Sequence, residues 1–327
     1  MTPKVPLLQV EQLRTYFKFR PYTTKAVDDV SFSISKGEIY GLVGESGSGK
    51  SITALSILGL VPEPFGKIIG GRILFEGKNL LEASEDEMKQ VRGRQISMIF
   101  QDPLTSLDPI MRVGEQIKEA ILAHEKVTAS EAKRRSVELL GHVGIQDASY
   151  RLDQYPFQLS GGMRQRIMIA IALASNPSLL IADEPTTNLD ATIQAQILEV
   201  LARIRREFGT SILLITHNLG IVAWVCDRIS VMYAGQIVET ATTETMFEQP
   251  VHPYTMALLR AVPRTKTRRL LTVPGEVASM NAPPSGCRFH PRCEYAKSIC
   301  AEREPQFMKI GASQSARCLM QETDLWK

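Results

Sequence analysis

Short apolar runs alternate with helical patterns through much of the chain. Residues 38–43, 179–182 and 212–216 are almost continuously apolar, which is typical of strands buried on both faces of a sheet. From residue 178 to about 232, such runs alternate with helix-like segments. This order predicts a mostly parallel sheet and a fold of the α/β class.

The pattern becomes helical between residues 103 and 175. Apolar residues recur three and four positions apart in 113–124 and 130–143, which is the spacing of one helix face. Residues before about 101 instead have the pattern of strands and turns. We therefore expect an α/β core that is split by an inserted helical lobe at about 103–175.

Length and charge narrow the class of protein. At 327 residues the chain exceeds the usual size of one domain, so a principal domain with an appendage is expected. The net charge is only +3, and the basic residues are scattered, so no nucleic-acid partner is expected. The basic cluster at 264–269 is interpreted as a solvated linker. The sequence has no apolar run long enough to span a bilayer and no recognisable signal peptide, which predicts a soluble, cytoplasmic protein.

A phosphate-binding motif follows the first apolar run. Residues 44–51 read Gly-Glu-Ser-Gly-Ser-Gly-Lys-Ser and match G-x-x-x-x-G-K-S/T between a predicted strand and a helix-like segment at 52–60. The glycines let the backbone curl around the β- and γ-phosphates of a nucleotide. Lys50 supplies a positive charge beside them, and the Ser51 hydroxyl can ligate magnesium.

Two adjacent acids end the apolar run at 179–182. We expect Asp183 to hold the magnesium shell and Glu184 to polarise an attacking water. The alternative is that two surface acids simply close a strand. It does not explain why four apolar residues lead directly into them.

A Ser-Gly-Gly turn lies between these two motifs. Ser160, Gly161 and Gly162 precede an apolar helix-like segment at 167–174, so uncovered backbone N–H groups at its start favour an anion. Taken alone, such a turn more often just begins a helix. Its place between the phosphate loop and the acids favours a nucleotide phosphate.

In this order, the motifs resemble the ATP-binding cassette (ABC) ATPases. The resemblance implies a P-loop NTPase core with an antiparallel β subdomain, an inserted helical subdomain and magnesium-dependent ATP hydrolysis. It implies catalytic roles for four residues: Glu184, His217, Gln101 and Lys50. It implies magnesium ligands at three: Ser51, Gln101 and Asp183. ATP contacts are implied along the phosphate loop and at one upstream aromatic residue: Phe17, Gly44, Glu45, Ser46, Gly47, Ser48, Gly49, Lys50, Ser51 and Ile52.

The resemblance also implies a second cassette. In this family two cassettes pair head to tail, so Ser160, Gly161 and Gly162 would act in trans, on the ATP held by the partner. No internal repeat supplies that partner, so it is expected to be another chain.

Four positions depart from the family pattern: Met163, Phe157, Asn188 and Asn218. None of them is expected to ligate metal or phosphate. Asn188 and Asn218 are expected near the dimer seam, which puts communication between the two ATP sites in doubt.

Cysteines cluster near the C-terminus. Four of the five lie there, at Cys287, Cys293, Cys300 and Cys318, whereas Cys226 is expected in the core. In a cytoplasmic chain this concentration argues for metal binding rather than disulfides. Zinc is possible, although the spacings are wider than in common zinc knuckles. Four thiolates between irregular loops also suit an iron–sulfur cluster.

The C-terminal motifs narrow the resemblance to the ATPase subunits of oligopeptide and dipeptide permeases. Residues 252–259, His-Pro-Tyr-Thr-Met-Ala-Leu-Leu, and 283–293, Pro-Pro-Ser-Gly-Cys-Arg-Phe-His-Pro-Arg-Cys, carry this similarity. It implies an ABC ATPase domain at 1–262 and a C-terminal Cys-rich appendage at 263–327, whose four cysteines bind a [4Fe–4S] cluster.

The same resemblance implies partners and a location. The partners would be a sister ABC ATPase in a heterodimer, two transmembrane permease subunits and an extracytoplasmic solute-binding protein. The chain would then lie on the cytoplasmic face of the cell membrane. Di- and oligopeptides are the expected cargo, with nickel chelates, sugars or other small solutes as alternatives. A nucleic-acid or translation ABC ATPase would need a long coiled coil, a zinc-bearing insertion or two cassettes in one chain, and the sequence has none of these.

Overall fold

The computed structural model describes residues 6–262 and 273–322. Its strands are β1 (Leu8–Phe19), β2 (Tyr22–Ile34), β3 (Ile39–Val43), β4 (Gly66–Phe75), β5 (Lys78–Asn79), β6 (Ile96–Ile99), β7 (Leu179–Asp183), β8 (Ser211–Thr216), β9 (Arg228–Tyr233), β10 (Gln236–Thr242), β11 (Met308–Lys309) and β12 (Ser315–Ala316). Its α-helices are α1 (Lys50–Ile57), α2 (Glu85–Val91), α3 (Pro103–Ser106), α4 (Val113–Leu122), α5 (Ala129–His142), α6 (Ala148–Arg151), α7 (Gly161–Ala172), α8 (Ala191–Phe208), α9 (Leu219–Val225), α10 (Thr243–Glu248), α11 (Pro253–Ala261) and α12 (Ile299–Glu302).

The described residues form two compact units. The first unit combines the N-terminal strands with the C-terminal third of the chain: 6–34, 40–81, 216–262 and 273–322. The second unit contains 35–39 and 82–215. The phosphate loop at 44–51 therefore belongs to the first unit, and Asp183 and Glu184 belong to the second.

An antiparallel sheet in the order β2-β1-β4-β5 lies in the first unit. Leu8 of β1 pairs with Ile34 of β2 and with Phe75 of β4, and all three side chains are buried. Apolar residues on one face thus cover the core while the other face remains partly exposed, as is usual for antiparallel sheets. The predicted antiparallel β subdomain corresponds to this sheet.

A second set of strands in the first unit has the order β11-β12-β10-β9-β3. Strand β3 runs parallel to β9, with Val43 opposite Val231, and β9 forms an antiparallel hairpin with β10. Ala234 and Gly235 connect the hairpin with φ values of 43° and 86°. Two central residues of positive φ match the right-handed twist of the paired strands.

Parallel strands in the order β8-β7-β6 form the sheet of the second unit. Ala182 of β7 lies opposite Ile99 on one side and Leu214 on the other. All residues of β7 and β8 are buried, which explains why these runs lack polar alternation. The strands expected at 179–182 and 212–216 are therefore present.

Helices α3 to α7 occupy the segment that the sequence pattern marked as helical. Val113, Ile117 and Ile121 of α4 are fully buried, at the spacing of one helix face. Thr128 caps α5 by accepting a hydrogen bond from the Glu131 N–H at 3.2 Å. Helix α7 contacts α4, α5 and β6, so the Ser-Gly-Gly turn at its start has a rigid support.

The C-terminal segment packs within the first unit. Strand β12 pairs with β10, so this segment extends the sheet. Three buried arginines of the segment form ion pairs with acids of the N-terminal part: Arg288 with Asp28, Arg292 with Glu45, and Arg317 with Asp29. The expected domain boundary at 262/263 and the linker predicted at 264–269 fall on or next to residues outside the described ranges.

Candidate functional site

The phosphate loop connects β3 to α1 and tolerates only glycine at its two ends. A Cβ atom on Gly44 would lie 2.2 Å from the Met232 carbonyl oxygen, and one on Gly49 would lie 2.2 Å from that of Ala26. Gly49 also has a φ of 107°, a backbone conformation that residues with a side chain rarely adopt. The backbone can therefore curl as the motif predicts.

Lys50 lies inside the curve of this loop. Its Nζ donates hydrogen bonds to the carbonyl oxygens of Gly44 (2.8 Å) and Glu45 (2.9 Å) and to Ser48 Oγ (3.3 Å). Lys50 opens α1 with Ser51 beside it, and the first turn of this helix contains no acidic residue. Positive charge and helix N–H groups thus converge on one point, an arrangement that fits phosphate.

Two residues from outside the motif hold Glu45. The Glu45 N–H donates to Tyr254 Oη at 3.0 Å. Its carboxylate accepts two hydrogen bonds from Arg292, at 2.8 and 3.1 Å. The sequence alone predicted no functional role for Tyr254 and Arg292, since nothing in the local pattern links them to a loop some 200 residues away.

The other candidates of the first unit are Phe17 and His217. Phe17 is half-buried in β1, opposite Gly66, where a Cβ would lie 2.7 Å from its ring. The neighbouring Tyr16 donates its hydroxyl proton to Asp28, and burial together with this bond raises the pKa of Tyr16 to about 12. His217 is exposed directly after β8, and the next residue, Asn218, caps α9 by accepting from the Gly220 N–H at 2.9 Å.

The second unit brings Gln101 and Glu184 together. Gln101 Nε2 donates to Glu184 Oε2 at 3.1 Å, and Thr187 Oγ1 donates to the same oxygen at 2.8 Å. Asp183, the last residue of β7, is buried, whereas Glu184 is half-buried. Sequence reasoning missed Thr187, although its position three residues after the acid places it in the same turn. The carboxylate of Glu184 is thus oriented by two neutral donors.

The Ser-Gly-Gly turn starts α7 as expected. Ser160 is the N-cap and accepts a hydrogen bond from the Met163 N–H at 3.3 Å. A Cβ on Gly162 would lie 2.7 Å from Ile193 of α8, so this glycine allows the two helices to approach closely. The Ser160 side chain is exposed, so a ligand from outside the unit can reach it.

The four C-terminal cysteines line one small cavity. Cys287, Cys293, Cys300 and Cys318 are free thiols around a space of about 20 Å³, the size of a single water molecule. Burial, with a smaller contribution from the neighbouring cysteines, raises the pKa of Cys287 to about 11 and that of Cys318 to about 12. Among residues 6–262 and 273–322, no three His, Cys, Asp or Glu side chains are spaced to hold one metal ion. Cys226 is buried away from this group, as expected.

Two known protein families match successive parts of the chain. Residues 27–187 match the ABC transporter family, and residues 238–300 match the oligopeptide/dipeptide transporter C-terminal region. The chain is 49% identical over 320 residues to the oligopeptide transport ATP-binding protein AppD of Bacillus subtilis, covering 97% of this chain and 98% of AppD. The chain belongs to the ABC transporter ATP-binding proteins. A second relative, the oligopeptide transport ATP-binding protein OppD of Bacillus subtilis, is 51% identical over 307 residues, covering 93% of this chain and 86% of OppD.

Solved structures support the ABC ATPase fold. The dimeric ATP-binding cassette MJ0796 bound to ADP and Pi has a TM-score of 0.65 and 25% identity, covering 72% of this chain and 98% of the cassette. The cbiO1 protein of Clostridium perfringens, part of the ABC transporter complex cbiONQ, has a TM-score of 0.65 and 28% identity, covering 75% and 91%. As an ABC ATPase the chain hydrolyses ATP. Within residues 6–262 and 273–322, no helix combines the length and apolar character needed to cross a bilayer.

Proposed function

We propose that this chain is the ATP-hydrolysing subunit of an ABC importer that drives uptake of di- and oligopeptides. The names of its relatives, which are oligopeptide transport ATP-binding proteins, support the cargo class. The single observation that carries the enzymatic part is the position of Glu184. It follows the buried Asp183 at the end of β7 and is held by Gln101 and Thr187.

Nucleotide binding rests on the phosphate loop. Backbone N–H groups of residues 44–52 would surround the β- and γ-phosphates, Lys50 would neutralise part of their charge, and Phe17 would stack on the adenine. The Ser51 hydroxyl, the Gln101 amide oxygen and the Asp183 carboxylate would supply only oxygen donors, which magnesium prefers. When bound, the ion supplies positive charge to the phosphate oxygens.

Hydrolysis rests on Glu184. Its carboxylate would orient a water molecule in line with the γ-phosphate and take a proton from it as the new P–O bond forms. The bond between the γ-phosphorus and the β–γ bridging oxygen would break at the same time, so that ADP and inorganic phosphate leave. The hydrogen bonds from Gln101 and Thr187 restrict the rotamers of this carboxylate, so less of its rotational freedom has to be lost at each turnover. Lys50, Gln101 and His217 would stabilise the charge that develops on the transferred group.

The second cassette comes from a sister ATPase. Ser160, Gly161 and Gly162 would close over the γ-phosphate held by that sister, and its equivalent turn would complete this chain's site. The exposed Ser160 at the N-terminus of the 12-residue helix α7 supports this assignment. Both ATP sites then lie between chains, so the cassettes must meet before either hydrolyses ATP rapidly.

Coupling to transport would pass through the residues before Gln101. A groove of about 210 Å³ in the second unit is lined by Phe100, Met98, Leu107 and Met168, among others. We assign this groove to a cytoplasmic segment of the permease, because Phe100 adjoins Gln101, whose side chain donates a hydrogen bond to Glu184.

Two transmembrane permeases and an extracytoplasmic binding protein would complete the importer. The chain would then sit on the cytoplasmic face of the membrane, with no nucleic-acid partner. Nickel chelates, sugars or other small solutes remain the alternative cargo.

The substitution Glu184→Gln tests the enzymatic proposal. It preserves the shape of the side chain but removes the base, so hydrolysis at this site should fall at least about a hundredfold while Mg·ATP binding persists. The assay is phosphate release by the assembled transporter, with the sister site disabled in both the variant and the reference. Hydrolysis near the reference rate would refute the role of Glu184.

The four-thiol cavity supports a [4Fe–4S] cluster in the C-terminal segment, with zinc as the alternative. The donor chemistry fits, since four free thiols face one space, but these thiols must move apart because the space is only about 20 Å³. A bound cluster would supply a covalent staple to a small segment whose irregular loops do not form a large apolar core. Cys287, Cys293, Cys300 and Cys318 would be its ligands.

Metal analysis of anaerobically purified protein tests this cluster. We expect brown protein with about four irons per chain, and loss of iron and colour after Cys318→Ser, because a cubane needs all four thiolates. The matched control is Cys226→Ser, which lies outside the cavity and should retain the iron. Colourless protein with stoichiometric zinc would overturn the cluster in favour of the alternative.

A further inference from the structure

Arg292 reaches the phosphate loop from the C-terminal segment. It ends the short 3-10 turn His290–Arg292, and only 3% of its side chain is exposed. Its two terminal nitrogens bond the two oxygens of Glu45 at 2.8 and 3.1 Å. Such a bidentate pair fixes direction as well as distance, which a lysine in the same place could not do.

The guanidinium of Arg292 is itself fixed on its other sides. Its Nε donates to the Pro274 carbonyl at 2.7 Å and Nη2 donates to that of Val273 at 3.2 Å. The rings of Tyr233 and Phe289 lie 5.7 and 5.9 Å from its central carbon. Because its nitrogens are occupied and its plane is held by aromatic rings, Arg292 is a rigid anchor rather than a mobile surface charge.

Glu45 is consequently held at three points. Its N–H donates to the buried Tyr254 hydroxyl, its carbonyl accepts from Lys50, and its carboxylate accepts from Arg292. These contacts direct the Glu45 side chain toward the C-terminal segment, so this residue contributes only its backbone to the loop's inner face. Any displacement of Arg292 would shift the loop on which Lys50 also depends.

We infer that Arg292 is a positioning residue for nucleotide binding, acting through Glu45 to preorganise the phosphate loop. The inference rests on the proposed nucleotide site and deepens it. It gives the C-terminal segment a role in ATP affinity that depends on no bound metal. Preorganised loops bind more tightly because less conformational freedom is lost on binding.

Mg·ATP titration of the full-length chain tests the inference. Arg292→Gln should raise the Kd for Mg·ATP at least about fivefold, a usual lower size for coupling between sites. Arg292→Lys should give an intermediate Kd, since it keeps the charge but not the bidentate contact. Arg260→Gln is the matched control: Arg260 is half-exposed, and its hydrogen-bond partners are Glu294 and Tyr295, which lie outside the phosphate loop. The Kd of the Arg260→Gln variant for Mg·ATP should equal that of the wild type.

A double-mutant cycle separates positioning from general stability. Glu45→Gln should raise the Kd, and adding Arg292→Gln should raise it little further, because the two substitutions remove one interaction. Additive effects would overturn the inference. So would an Arg292→Gln chain with a lower unfolding temperature but an unchanged Kd, since that is the result of a purely structural role. A wild-type chain that fails to bind Mg·ATP would instead refute the proposed function itself.

Discussion

Individual residues after β7 adopt backbone conformations that most side chains avoid. Glu184 has a φ of 46° and Asn188 has a φ of 63°, both in the left-handed region. At Glu184 this conformation accompanies the hydrogen bonds that the carboxylate accepts from Gln101 and Thr187, and such outliers are frequent at functional sites. At Asn188 it explains a departure from the family pattern, because asparagine tolerates the left-handed region better than alanine does.

The backbone at Asn188 gives a test at the residue scale. Asn188→Ala should lower the free energy of unfolding by about 1 kcal/mol, since alanine pays the full steric penalty of positive φ. Asn188→Gly should be close to neutral, because relief of strain offsets the greater freedom of the unfolded chain. Urea unfolding of both variants measures the difference. An alanine variant as stable as the glycine variant would show that the backbone there is not strained.

At the scale of elements, the predictable parts were those whose signal is local. The buried strands β7 and β8 appear in the sequence as unbroken apolar runs, and α4 shows its buried face at helical spacing. The phosphate loop was predictable because glycine spacing encodes its backbone. The two-residue strands β11 and β12 carry no such signal, since β12 is defined by its pairing with β10 and β11 by its pairing with β12.

The sequence pattern did not predict contacts between distant elements. Family order suggested that Gln101 and Glu184 share a site, but it did not predict that their side chains form a hydrogen bond across 83 positions. The ion pair between Arg292 and Glu45 joins residues 247 positions apart, and the sequence pattern, which placed Glu45 in the phosphate loop, did not link the two. Such pairs are decided by tertiary packing and leave no local pattern in the sequence.

At the scale of the whole molecule, the residues proposed to act on the nucleotide belong to two units. Lys50 and Ser51 belong to the first, whereas Gln101, Glu184 and the turn at Ser160 belong to the second. The C-terminal segment belongs to the first unit and is anchored there by three ion pairs whose arginines are buried. Breaking one partner of such a pair is costly because it leaves a buried charge uncompensated. The segment is thus tied to the phosphate loop.

This division leads to a prediction about assembly. One chain supplies one phosphate loop and one Ser-Gly-Gly turn, and in the proposed arrangement these two serve different ATP molecules. The isolated chain should therefore be mainly monomeric and a poor ATPase, and its turnover should rise when the sister subunit is added. Sedimentation velocity with and without Mg·ATP, paired with phosphate release, measures both properties.

Glu184→Gln, which should slow hydrolysis, should prolong the lifetime of the ATP-bound complex with the sister subunit. A tight homodimer that forms without ATP and turns over at the full rate would contradict the requirement for a sister chain, because it would show that two copies of this chain complete both sites.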